Sequence, residues 1–166
     1  RYWRDWSSDV CSSDLDGCFE EGVLHESMNF AALHHLPVLF VCENNDFSVY
    51  TKLEFRQPKR PIFKVAEAHS IKSQKADGND IELVHKLSSD AINEIRNGSG
   101  PQFLEFSAYR WREHCGPDFD DHLNYRTEEE VDFGKKACPV LRYKEQLLKN
   151  KILTDQKISE ISKKIE

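Results

Sequence analysis

The 166-residue chain has no apolar run that approaches the ~20 residues a membrane-spanning helix needs. It also lacks an excess of basic charge. Its 23 lysines and arginines face 29 acids, for a net charge of −6, so the basic face that nonspecific nucleic-acid binding requires is missing. Cys11, Cys18, Cys42, Cys115 and Cys138 form no C-x-x-C pair and show no metal-site spacing, a usage that fits a reduced, cytoplasmic setting. There is no internal repeat and no signal-peptide h-region. The only biased segment is the Ser/Asp-rich stretch within residues 1–15.

What is present alternates between helix and strand signals. Val23, Leu24, Ser27, Met28, Ala31 and Ala32 recur at helix-face spacing, and Glu20 and Glu21 stand where a first turn favours acids. This pattern predicts a helix over residues 20–35, about 24 Å long and ended by Pro37. Residues 38–42 form a short, continuously apolar run, as in a parallel strand covered on both faces. It leads into a polar loop with Asn44, Asn45 and Asp46 at the strand's carboxyl end, where open α/β sheets bind ligands. Further helices are expected over 61–69 and over 81–96, the latter closed by Asn97-Gly98, and strands over 72–76 and 103–109. Residues 112–134 read as a long loop, and long ordered loops tend to be functional. Amphipathic helices follow over 141–149 and 154–165, with Thr154 as N-cap of the second. The expected fold is α/β: three layers with a mostly parallel sheet, incomplete at both ends.

Asp16-Gly17 opens the first of these helices, and Asn44-Asn45 closes the strand after it. An aspartate and an asparagine carried on successive strand ends make a hard, oxygen-only site suited to magnesium and a diphosphate. Asp-Gly alone is a common turn pair. Here it is joined by DGND at 77–80, NGSGP at 97–101, YRWREH at 109–114 and YRTEEE at 125–130. In order and spacing these segments resemble the thiamine-diphosphate alpha subunit of the first, dehydrogenase component of 2-oxoacid dehydrogenase complexes, of the pyruvate, branched-chain or acetoin type, from Asp16 to the end of the chain.

That resemblance implies a set of roles. Asp16, the amide oxygen of Asn45 and the backbone carbonyl of Phe47 would hold magnesium, with Asn44 as the alternative to Asn45. The N–H groups of Gly17 and Cys18 would meet the diphosphate of thiamine diphosphate, and the Cys18 thiol would carry no chemistry. His114 would reach the cofactor channel, contacting the diphosphate and orienting intermediates. Arg110, Arg112, Tyr125 and Arg126 would order the long loop through pairs with its acids, while His25, His34, His35 and His69 read as helix-surface residues. Cys115 stands where some members carry a phosphorylatable serine. The implied activity is oxidative decarboxylation of a small 2-oxoacid with acyl transfer to a lipoyl (disulfide) acceptor on an acyltransferase. The implied assembly is an alpha2-beta2 heterotetramer whose beta subunit supplies the glutamate that activates the aminopyrimidine, so this fragment alone would be inactive. An acetoin dehydrogenase, a transketolase-like enzyme and a catalytically silent assembly subunit stay open as alternatives.

One departure from the motif is sharp: Leu15 stands where the family has its first glycine. Residues 5–15, DWSSDVCSSDL, match the translated end of a short-read sequencing adapter. Its last two bases plus one base of an insert spell leucine. Residues 1–15 are therefore expected to be an adapter-derived artefact, and residues 16–166 a partial thiamine-diphosphate-binding domain.

Overall fold

The computed structural model describes residues 10–165. Four parallel strands, β1 (Val10–Leu15), β2 (Val38–Asn44), β5 (Lys72–Asp77) and β6 (Gln102–Ser107), form one sheet in the order β1-β2-β6-β5. A two-residue-per-strand antiparallel hairpin, β3 (Phe47–Ser48) with β4 (Thr51–Lys52), stands beyond the end of β2. Helices α1 (Gly22–Leu33) and α2 (Ile62–Ala68) cover one face of the sheet. They enclose a core of Phe19, Leu24, Met28, Phe40, Ile62 and Phe103. Helix α3 (Ile81–Arg96) covers the other face over Leu39, Leu104 and Phe106, with Ala91 and Ile95 pointing inward. Burial on both faces is why β2 reads as a near-continuous apolar run rather than an alternating one. The α/β, three-layer, parallel expectation is met.

The elements differ from the sequence reading in instructive places. Glu20 and Glu21 are not in the first turn of α1. A 3-10 turn (Asp16–Glu20) precedes the helix, and Glu21 is its extended N-cap residue. The Glu20 carboxylate is taken by Arg56 and by Gln57 Nε2, the latter at 2.9 Å, which draws this segment out of the helical path. Helix α1 then buries Leu24, Met28 and Ala31, leaves Val23 exposed and ends at Leu33, ahead of Pro37. His25 and His69 are not freely exposed on the helix surface. They are half-buried and face each other with ring nitrogens 3.3 Å apart, and burial together with the His25 ring lowers the His69 pKa. Residues 10–15 pair in parallel register with β2 through their backbone, so they fill the strand position ahead of the Asp-Gly turn.

The largest correction lies in residues 112–134. Helix α4 (Glu128–Lys136) occupies the end of what reads as a loop, and Thr127 caps it through a reciprocal box with Glu130. Three acids in its first turn and Lys135 and Lys136 in its last complement the helix dipole. Helices α5 (Pro139–Lys149) and α6 (Asp155–Ile165) follow, the latter capped by the Thr154 hydroxyl, which accepts from Lys157 N–H at 3.3 Å. Among the described residues no helix is long and apolar enough to cross a membrane.

Candidate diphosphate and metal site

Adjacent parallel strands carry the candidate residues to one edge of the sheet. Leu15 pairs with Glu43 at the ends of β1 and β2, so Asp16 and Asn44-Asn45 emerge side by side. Asp16 is fully buried, at 0% exposure. Its Oδ2 is paired with Arg56, its backbone oxygen accepts from Gln57 Nε2 at 3.1 Å, and its Oδ1 is buried without a hydrogen-bond partner among the described residues. Gly17 lets the backbone approach closely, because a Cβ there would lie 3.1 Å from Ser48 Oγ on the hairpin. Cys18 packs against the core under α1.

The two asparagines are used differently. Asn44 has both ends of its amide committed to the scaffold. Its Nδ2 donates to Glu105 Oε1 at 2.8 Å, and its Oδ1 accepts from Asp46 N–H at 3.0 Å. Asn45 is buried, and its Oδ1 accepts the Phe47 N–H at 3.0 Å, which leaves that oxygen a second lone pair. Asp46, between these turns, sits at φ 67°, a left-handed conformation that short polar residues tolerate.

Glu105 holds the base of this loop. It is a fully buried carboxylate on the α1/α2 face of β6, and it accepts from Asn44 Nδ2 and Lys75 Nζ at 2.8 Å each and from Phe63 N–H at the start of α2 at 2.9 Å. A buried charge is tolerable when it is paired and multiply hydrogen-bonded in this way. Reading residues 103–109 as a strand did not reveal this role. The signal was an acid inside an otherwise apolar run.

The segment after β6 is fastened to the hairpin. Arg110 Nη2 donates to Val49 O at 2.6 Å and to the Tyr125 hydroxyl at 3.0 Å, and the Tyr125 ring meets Phe47 edge-on at 5.3 Å. Arg126 bonds the Arg110 backbone oxygen and Asp120, reaches Asp121 at 3.1 Å, and stacks on Tyr125 and Tyr109. Burial, together with the bond to Asp120, raises the Tyr125 pKa. Lys52 on β4 binds Glu130 at 2.6 Å; this bond lowers the Glu130 pKa and ties the hairpin to α4. Arg110, Tyr125 and Arg126 thus order the loop through its acids. Arg112 instead donates to Pro117 O at 2.7 Å and lies over the Phe119 ring.

The structure therefore brings Asp16, Gly17, Asn45 and Phe47 together. It leaves His114 solvent-exposed on the loop, with no hydrogen bond to them among the described residues. No cluster of three or more His, Cys, Asp or Glu suited to a metal occurs among the described residues, but the expected ligand set contains only one such side chain. The site fits that set. One Asp16 oxygen is paired with Arg56, and the other, buried without a hydrogen-bond partner among the described residues, is the position open to a cation.

Comparison with known proteins bears on the whole chain. The family profile described as "Dehydrogenase E1 component" matches residues 15–166. The chain belongs to the dehydrogenase E1 component family. It is 32% identical over 160 residues to the pyruvate dehydrogenase E1 component subunit alpha of Rickettsia felis, covering 96% of this chain and 48% of that protein. It is 33% identical over 141 residues to the 2-oxoisovalerate dehydrogenase subunit alpha of Bacillus subtilis, covering 85% and 42%. This E1 chain spans about half the length of the relatives it matches. In fold it resembles a transketolase from Campylobacter jejuni, with a TM-score of 0.51 at 19% identity over 60% of this chain and 15% of that one.

One prediction arises from the E1 chain's loop. The side chains of Arg126 and Asp120 are 3% and 1% exposed, and removing one partner of a buried pair costs about 3–5 kcal/mol. Arg126→Leu is expected to release residues 109–127 as a unit, seen as faster amide hydrogen exchange there with the sheet still protected. Unchanged exchange in the loop would show that its aromatic contacts suffice.

Proposed function

We propose that this chain is part of the alpha subunit of a thiamine-diphosphate-dependent 2-oxoacid dehydrogenase, acting in an alpha2-beta2 assembly with a lipoyl-bearing acyltransferase. The observation that carries this reading is the buried Asp16 carboxylate, with its orphaned Oδ1, at the sheet edge beside Asn45 in an E1-family chain. Asp16, Asn45 and the Phe47 carbonyl hold magnesium, and the Gly17 and Cys18 N–H groups bind the diphosphate. The commitment of both Asn44 amide ends to the scaffold supports Asn45 over Asn44. When bound, thiamine diphosphate supplies the electron sink for decarboxylation. The chain's residues fix its position, and His114, carried by a loop rooted on the Phe47 hairpin, orients the reacting groups at the channel.

The test uses the full-length subunit. Alone it is expected to show no 2-oxoacid decarboxylation. Adding the beta subunit, with its aminopyrimidine-activating glutamate, is expected to restore turnover in a dye-reduction assay. Full activity without the partner would refute the division of labour.

The proposal includes the residues ahead of the site. Residues 1–15 are adapter-derived, and the natural residue at position 15 is glycine. The match of residues 5–15 to an adapter reading frame supports this. Amplifying the locus from source DNA is expected to give a glycine codon preceded by an apolar strand. Recovering the Ser/Asp-rich stretch intact would end this reading.

A further inference from the structure

Arg56 is absent from the expected site, yet its side chain bonds to Asp16, Glu20 and Thr51 there. Its side chain is only 9% exposed. Nη2 binds Asp16 Oδ2, Nη1 binds Glu20, and Nε donates to the Thr51 backbone oxygen at 3.0 Å. All three nitrogens are engaged, and they connect the 3-10 turn after β1 to the hairpin strand β4. Gln57 repeats the pattern from the next position, with Nε2 reaching the Asp16 backbone oxygen at 3.1 Å and Glu20 Oε1 at 2.9 Å. Consecutive side chains thus clamp both ends of the Asp16–Glu20 turn.

The consequence for Asp16 is geometric. A carboxylate free to rotate can offer either oxygen, or both, to a cation. Here a planar guanidinium fork, itself fixed at its other two nitrogens, holds Oδ2, and Oδ1 is left buried without a hydrogen-bond partner among the described residues. We infer that Arg56 is a positioning residue for the metal site: it fixes the Asp16 carboxylate by Oδ2 so that Oδ1 alone faces a divalent cation. It stays in place when the cation binds, because the two use different oxygens. Groups that orient a metal-binding carboxylate from behind typically contribute 10–100-fold to metal affinity. A lysine could supply the charge but not the fork that binds Asp16, Glu20 and Thr51 together. The inference rests on the reading of Asp16 as a metal ligand.

The test measures binding, in the full-length subunit assembled with its beta partner. Calorimetry gives the Kd of thiamine diphosphate with saturating Mg²⁺, and Mn²⁺ titrated in place of Mg²⁺ is followed by electron paramagnetic resonance. Arg56→Met is expected to weaken both by about 10–100-fold, and Arg56→Lys to recover only part of the loss while keeping the melting temperature closer to that of the parent. Asp16→Asn serves as control for the underlying reading. If it binds cofactor normally, Asp16 is not a ligand and the site assignment itself fails. If Asp16→Asn loses binding while either Arg56 variant keeps the parental Kd, the site stands and the positioning role is wrong. Tighter metal binding in Arg56→Met would also overturn it, since that would make Arg56 a competitor that the cation displaces.

Discussion

In the full-length subunit, Asp16→Ala and Asn45→Ala are each expected to abolish magnesium-dependent binding of thiamine diphosphate in a calorimetric titration. Magnesium demands a near-ideal octahedron of oxygens, and the proposed ligands from this chain are Asp16, Asn45 and the Phe47 carbonyl. Asp16→Ala removes the charged ligand of the proposed set and one of the two carboxylates paired with the nearly buried Arg56 guanidinium, which keeps Glu20 as its remaining partner. Asn45→Ala does damage by a second route. Its Oδ1 also accepts the Phe47 N–H, so the truncation frees the turn that presents the third ligand. Asn44→Ala makes the informative comparison, because its amide bonds Glu105 and Asp46 and should loosen the loop while leaving measurable affinity. Undiminished binding in Asp16→Ala or Asn45→Ala would return that residue to a turn-forming role.

His114→Ala should behave differently. The side chain is exposed on its loop, away from the buried Asp16 carboxylate, so cofactor affinity is expected to stay within a few-fold of the parent, in order-of-magnitude terms. Acyl transfer to a lipoyl acceptor is expected to fall by ~10²–10⁴, the range for positioned acid–base or orienting groups. The loop root is already fixed by Arg110 on Val49 and by Tyr125 on Phe47, which confines the mutational effect to the imidazole. Normal acyl transfer in the variant would remove His114 from the mechanism.

Where function was legible in the sequence, the signals were local. An apolar run marked β2, three-to-four spacing marked α1, the closing Asn97-Gly98 marked α3, and the Asp-Gly and Asn-Asn pairs marked the candidate site's edge of the sheet. The Thr127-x-x-Glu130 box was equally local, yet α4 was hidden by the acidic, glycine-bearing stretch around it, which resembles loop composition. The other omissions have a different cause. Arg56 lies 40 residues from Asp16, and nothing in either neighbourhood announces the pairing. His25 and His69 meet across 44 residues for the same reason: helix periodicity shows which face a residue occupies, but not which helix lies opposite.

The three bonds of Glu105 also bear on when the site comes into being. Its partners lie 61, 42 and 30 residues upstream, at Asn44, Phe63 and Lys75. Closing loops of that size costs entropy before any contact rewards it, and folds dominated by distant pairings form slowly. During synthesis, therefore, the ribosome releases the whole Asp-Gly to Asn-Asn segment well before the carboxylate that steadies it. A nascent chain halted ahead of β6 carries every candidate side-chain metal ligand but lacks the Glu105 carboxylate that holds the base of their loop, so on the proposed reading the site is steadied only once β6 has been made.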